Sequence, residues 1–283
     1  MTPGGAGKNQ QGLSITELMI SLALAGVVMG ALSSLFISKQ KVLGIQDQKA
    51  EMHQAARVAM DSMVREFCMI GHGVPNSTWD GCAAPCPPPK IKHPPTPNDT
   101  SITFRGNLDA TRTTLASNHV SGLTPLTVDS ASGFNVNDTI YVEGQTYATA
   151  PYTTHWHTAT VTATSATTLT ISAGLNFEYV NGSTVHVIQD ITYSFNNSTK
   201  QIRRNNQPLA EYIDGFTLSY IFEDSDTGLP NDVDTDTTNN TSNIRTISIS
   251  VTARTPKPDP AYKQNSGYRL VTVTSQVTPR NLP

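Results

Sequence analysis

Residues 18–37 form an almost unbroken apolar run, and the residue at its head, Glu17, is an acid. A run of about 20 apolar residues is what a helix needs to cross a hydrocarbon layer. A chain that carries one must cover it with lipid or with other apolar helices. A carboxylate beside it is costly, roughly 2.5 kcal/mol or more at the bilayer centre. A plain single-span anchor accounts for the length of the run but leaves Glu17 unexplained. The preceding residues 1–12 (MTPGGAGKNQQG) are polar and glycine-rich, with one cation, Lys8. A secretory signal peptide has a shorter core, about 7–15 residues, with its cleavage site after the core. Here the run is too long and the polar segment comes first.

Residues 12–20, Gly-Leu-Ser-Ile-Thr-Glu-Leu-Met-Ile, resemble the prepilin-type processing site of type IV pilins and type II secretion pseudopilins. The resemblance implies that a prepilin peptidase cuts after Gly12 and methylates the new amino terminus at Leu13. Glu17 then becomes the fifth residue of the mature chain. Leu13 stands where phenylalanine is usual and Thr16 where an aliphatic residue is common; Gly12 and Glu17 are both in place. Cleavage frees an α-ammonium at Leu13. Burying an ammonium or a carboxylate alone is very unfavourable, whereas the two together largely offset each other's desolvation when the geometry is good. Self-pairing within one helix has the right spacing. The precedent in the resembled family is intermolecular, with Glu17 facing the terminal amine of a neighbouring subunit. That makes Glu17 a docking residue rather than a general acid.

The helical period continues beyond the apolar run. Met52, Ala56, Ala59, Met63, Phe67 and Ile70 draw one apolar stripe, with Lys49, Glu51, Gln54, Arg57, Asp61, Arg65 and Glu66 expected on the wet faces. A helix over 13–69 would be on the order of 85 Å long, at about 1.5 Å per residue. Gly26, Gly30, Ser33 and Ser34 weaken its apolar half, and no proline breaks it. Residues 71–75, Gly-His-Gly-Val-Pro, stop it. A Pro/Cys-rich loop follows at 76–98. Alternating runs at 101–105, 126–129, 139–143, 158–163, 169–172 and 184–188 then predict strands.

Alternation is clearest late in the chain, in Ile191, Tyr193 and Phe195, in Phe216, Leu218, Tyr220 and Phe222, and in Ile247, Ile249, Val251 and Ala253. The strand order over 189–283 and the ending Ser-Gln-Val-Thr-Pro-Arg-Asn-Leu resemble PilW-type minor pilins and the related J-type pseudopilins. The expected architecture is α+β, a long N-terminal helix packed on an antiparallel β-sheet with an inserted all-β module. The expected organisation is a leader over 1–12, a transmembrane or filament-core helix over 13–37 and an amphipathic stem over 38–72. A loop with the first strand follows over 73–120, then the module over 121–188 and the pilin sheet over 189–283.

A net charge of −3 in 283 residues leaves no polycationic surface for nucleic acid. Only 14% of residues are charged, which suits sheet and loops facing an extracytoplasmic medium. Three cysteines, Cys68, Cys82 and Cys86, then suggest one disulfide and one thiol: Cys82 with Cys86, or Cys68 with either. A zinc site drawn from these cysteines with His72 and His93 has only one pair at ligand spacing, Cys82 and Cys86. Asp224, Asp226, Asp232, Asp234 and Asp236 alternate in a loop near Gly228. Hard oxygen ligands so placed suit calcium, but the bidentate glutamate of an EF-hand is absent, and a solvated acidic loop is the plain alternative. His155, Trp156 and His157 could form an adhesive surface. No G-x-S-x-G or Walker A motif occurs, so the expectation is a non-catalytic subunit.

Taken together, the residues and the resemblance predict a minor pilin that primes or caps a type IV pilus. It would wait in the inner membrane with its β domain in the periplasm, and then join the filament at the cell surface. Its partners would be the prepilin peptidase, other major and minor pilins and the assembly machinery. A J-type pseudopilin and a pilus-tip adhesin are the alternatives.

Overall fold

The computed structural model describes residues 14–75, 90–92, 99–147, 153–223, 230–231 and 244–282, in two compact units, 1–50 and 51–283. A single helix, α1 (Ile15–Phe67, 53 residues), supplies the first unit and enters the second. Its first part is rich in Leu, Met and Ala, strong helix formers, and Gly26, Gly30 and Gly44 do not interrupt it. Large apolar side chains in this unit stand open from Ile15 to Leu43.

In the second unit the stem behaves as its period requires. Met52, Ala56, Ala59, Met63, Phe67 and Ile70 are buried, joined by Met60. α1 ends at Phe67, earlier than the spacing predicted, because the chain tightens to bonds between residues three apart: the Met69 amide to the Glu66 carbonyl and the Ile70 amide to the Phe67 carbonyl. Gly71 and Gly73 then take left-handed backbone (φ 77° and 71°), which a side chain would resist. The turn is sewn to its surroundings. Gly71 N–H donates to the Arg105 carbonyl at 2.7 Å, Asn107 N–H to the His72 carbonyl at 2.8 Å, and Arg280 N–H to the Cys68 carbonyl at 3.3 Å. Carbonyls left over at a helix end thereby gain partners.

Among the described residues, thirteen strands follow in two antiparallel sheets. The larger contains β1 (Ser101–Gly106), β2 (Arg112–Thr114), β3 (Pro125–Thr127), β4 (Thr139–Gln145), β5 (Thr154–Thr164), β6 (Thr168–Ile171), β7 (Thr184–Asn196), β8 (Gln201–Arg204) and β9 (Gln207–Ala210). Its order is β3-β6-β5-β4-β7-β8-β9, with β1 and β2 also on β7. The smaller sheet holds β10 (Ile213–Glu223), β11 (Pro230–Asn231), β12 (Ile244–Arg254) and β13 (Leu270–Val277), ordered β11-β10-β12-β13. This is an α+β fold whose stem packs against the sheets. One core joins the stem to β1, the later half of β7, β8, β10 and β12. A second core, which includes Leu115, Leu126, Ile140, Val161, Leu169, Tyr179, Val185 and Val187, fills the region built on β3–β6 and the start of β7.

The runs expected as separate strands at 184–188 and 191–195 are one strand of 13 residues, β7. Its middle is polar, and Asp190 is held there by Arg105 Nε (2.8 Å) and Lys92 Nζ (2.9 Å). Burial alone would raise the Asp190 pKa, but these hydrogen bonds and charges outweigh it and hold the carboxyl below its usual range. A depressed carboxylate adds stability above its unfolded pKa and loses that stability as pH falls through the folded value. Asp190→Asn is therefore expected to lower stability at neutral pH by at most about 1 kcal/mol, since the pair is partly exposed. Urea titrations of variant and parent should converge as pH drops below about 4, the unfolded aspartate value.

Candidate functional site: the head of the apolar helix

The Ser14 carbonyl accepts the Leu18 amide at 3.1 Å, and the Ser14 and Thr16 hydroxyls lie 2.7 Å apart. Glu17 falls in the first helical turn, beside amides that have no intrahelical acceptor and at the positive end of the helix dipole. The Glu17 carbonyl also accepts the Ser21 hydroxyl at 2.8 Å. No side chain among the described residues pairs with the carboxylate, so its counter-charge has to come from elsewhere.

Beyond these hydroxyls the surroundings are largely apolar. Ile15 is 80% exposed, Leu22 73% and Val27 72%. A helix that is apolar all round is a helix made to be covered. An 18-residue window of it reaches a mean hydropathy of 2.2 with no part buried within the chain, long and apolar enough to cross a membrane. The chemistry available here is association: undirected apolar contact, plus one charge that fixes position.

Other residues singled out from the sequence fall elsewhere. Gly12 and Leu13 lie outside the described residues, as do His93, Cys82, Cys86 and the acids Asp224, Asp226, Asp232, Asp234 and Asp236 proposed for calcium. Among the described residues Cys68 is a free, half-buried thiol packed against the main core. No group of His, Cys, Asp and Glu suited to a metal occurs among the described residues. His72 lies edge-on to His186, with ring centroids 6.5 Å apart. His155 stacks on Phe177 at 4.4 Å, while Trp156 meets Tyr141 edge-on at 5.6 Å. The His155 and Trp156 rings thus pack onto neighbours within the fold, while His157 Nδ1 accepts the Asn176 amide at 3.4 Å.

The residues that fasten the stem were not foreseen. Glu66, expected on a wet face, has a side chain only 19% exposed and accepts Arg204 Nε at 3.0 Å. Tyr193 donates its hydroxyl to the other Glu66 oxygen at 2.8 Å, with the Ser62 hydroxyl 3.1 Å away. Burial first, and then the Glu66 carboxylate, push the Tyr193 phenol above its ordinary pKa and keep it a donor. Periodicity cannot show this, because a carboxylate one position from the stripe looks like any solvated acid.

Residues 7–33 match the prokaryotic N-terminal methylation motif. This motif marks a type IV pilin or pseudopilin. A prepilin of this kind is anchored in the inner membrane by its apolar N-terminal helix, is processed by prepilin peptidase and assembles with other pilins. Such subunits are typically structural rather than enzymatic. Compared with curated proteins, the chain matches none.

Proposed function

We propose that the chain is a minor pilin, cut after Gly12, methylated at Leu13 and assembled through its N-terminal helix into or at the tip of a type IV pilus, where it primes assembly. The observation that carries this reading is the exposed apolar helix with Glu17 in its first turn, unpaired among the described residues, inside the matched motif. Once Leu13 carries a free ammonium, a neighbouring Glu17 can pair with it in surroundings that penalise either charge alone. The size of the β region favours a minor role: a second hydrophobic core beside the main one is more structure than a bulk repeat unit needs.

The proposal is tested at the cleavage site. Gly12→Ala is expected to leave the precursor uncut, so that Edman sequencing of membrane-purified protein still begins with the polar leader. Parent protein should begin at N-methylated Leu13. Parent protein that kept residues 1–12 in native membranes or filaments would overturn the reading.

A further inference from the structure

The turn that ends the stem is tied to the larger sheet through one asparagine. Asn107, between β1 and β2, is only 1% exposed. Its backbone N–H donates to the His72 carbonyl at 2.8 Å. Its side-chain nitrogen donates to the Thr111 carbonyl at 2.9 Å and lies 3.3 Å from His186 Nδ1. The Thr111 carbonyl fixes that nitrogen as the donor end of the amide, so its second hydrogen meets His186. A ring nitrogen so placed has to accept, which leaves the proton of neutral His186 on Nε2. The same ring packs against the turn. His72 meets it edge-on at 6.5 Å. Gly73 has left-handed backbone, and a Cβ there would come within 3.0 Å of His186 Nδ1 and 3.2 Å of Asn107 Cβ. Three segments far apart in sequence thus converge on one imidazole: the turn, the β1–β2 connection and the start of β7.

Nothing around that imidazole welcomes a second proton. Arg112 on β2 and Tyr141 on β4 stand opposite His186 in the sheet, and His72 faces it from the turn. The nearby acids serve other partners or other positions. Glu143 lies farther along β4, opposite Thr184. Asp190 is held by Arg105 and Lys92, and Asp109 accepts Gln189 Nε2. Burial first, and then His72 and Arg112, hold the His186 pKa below the usual imidazole range. A proton gained at Nδ1 would also set an N–H donor against the Asn107 amide hydrogens, with no acceptor between them.

We infer that the Asn107–His186 contact is an acid-sensitive latch, closed at neutral pH, whose protonation frees the Gly71–Val74 turn and residues 107–111 from the start of β7. A released imidazole takes its proton at about pH 6.5, whereas the latched ring takes one only at lower pH. The latch is therefore fully effective above about pH 6.5 and weakens as pH falls from there through the latched value. Over that window the open-to-closed ratio rises by up to about tenfold per pH unit. Below it the loss is complete and constant. The inference does not rest on the pilin reading, because every group in it lies within the second compact unit.

The test uses the full-length chain in detergent and amide exchange corrected for its intrinsic pH dependence. Between about pH 7.5 and 5 the Asn107 amide should exchange roughly tenfold faster, while Ile249 in β12 changes little. His186→Gln cannot gain a proton and should remove this acid response. Arg112→Gln, at an exposed position, takes away a facing cation and should move the response to higher pH. Titration of the His186 ring in the parent, followed by NMR, should show protonation below the usual histidine range. An undiminished acid response in His186→Gln, or equal acceleration at Ile249, would overturn the inference. So would a parental His186 ring that titrates at or above the usual histidine value.

Discussion

A chain carrying Glu17→Val is expected to be processed like the parent and yet to be nearly absent from filaments. Valine suits the apolar helix, so membrane insertion should be unimpaired, and the leader and Gly12 remain for the peptidase. What changes is the interior of the assembly. There the ammonium at Leu13 of an adjoining subunit would be desolvated without a counter-charge, and removing one partner of a buried pair costs about 3–5 kcal/mol. At 1.4 kcal/mol per decade, that is a loss of roughly a hundredfold or more in incorporation. Immunoblots of sheared filaments against membrane pools should show cut protein accumulating in the membrane. Incorporation of Glu17→Val at the parental level would remove the docking role of this residue. Glu17→Asp is the informative companion, since it keeps the charge on a shorter arm and should recover part of the loss.

The second large effect is expected at the base of the stem. Phe67 is fully buried and meets Phe104 and Tyr193 edge-on, with ring centroids 5.5 and 5.6 Å away. These two rings stand on β1 and β7, so Phe67 joins the helix to the sheet at its centre. Edge-to-face pairs add to the energy of burial, and truncating such a phenylalanine to alanine typically costs about 3–5 kcal/mol. Phe67→Ala should therefore lower unfolding stability by that amount in urea titration. Phe67→Leu, which keeps most of the volume, should lose clearly less. The Glu66–Tyr193–Arg204 contacts lie one residue away and share the same strand, so double variants with Phe67→Ala should not be additive.

Much of this architecture was legible because its signals are periodic. The stripe from Met52 to Ile70 repeats every three or four residues, and every member is buried. Ile247, Ile249, Val251 and Ala253 alternate and are buried as β12 requires. Legibility failed where a long-range partner reverses a local cue. Asp190 in mid-sequence looks like a break between strands; only Arg105 and Lys92, brought in from far along the chain, let β7 run through it. Glu66 was placed on a wet face for the same reason, since Arg204 and Tyr193 are invisible from its neighbours. Ile188 breaks the alternation of β7 by turning to the other side, where it meets Val74 and Tyr141. At the functional head the balance was the reverse. Glu17 stood out as an acid where hydrocarbon is the rule, and no folded context was needed to notice it.

The continuity of β7 has a mechanical consequence. Its first residues lie in one core and its later residues in the other, so a pull between the stem and the far β region is carried along this strand. Hydrogen bonds in an antiparallel ladder lie across the strand direction. Tension along β7 therefore loads its rungs with β1, β2, β4 and β8 in shear, many at once, rather than peeling them open singly. A surface-exposed subunit wired in this way would transmit force through its body before any part of it came apart.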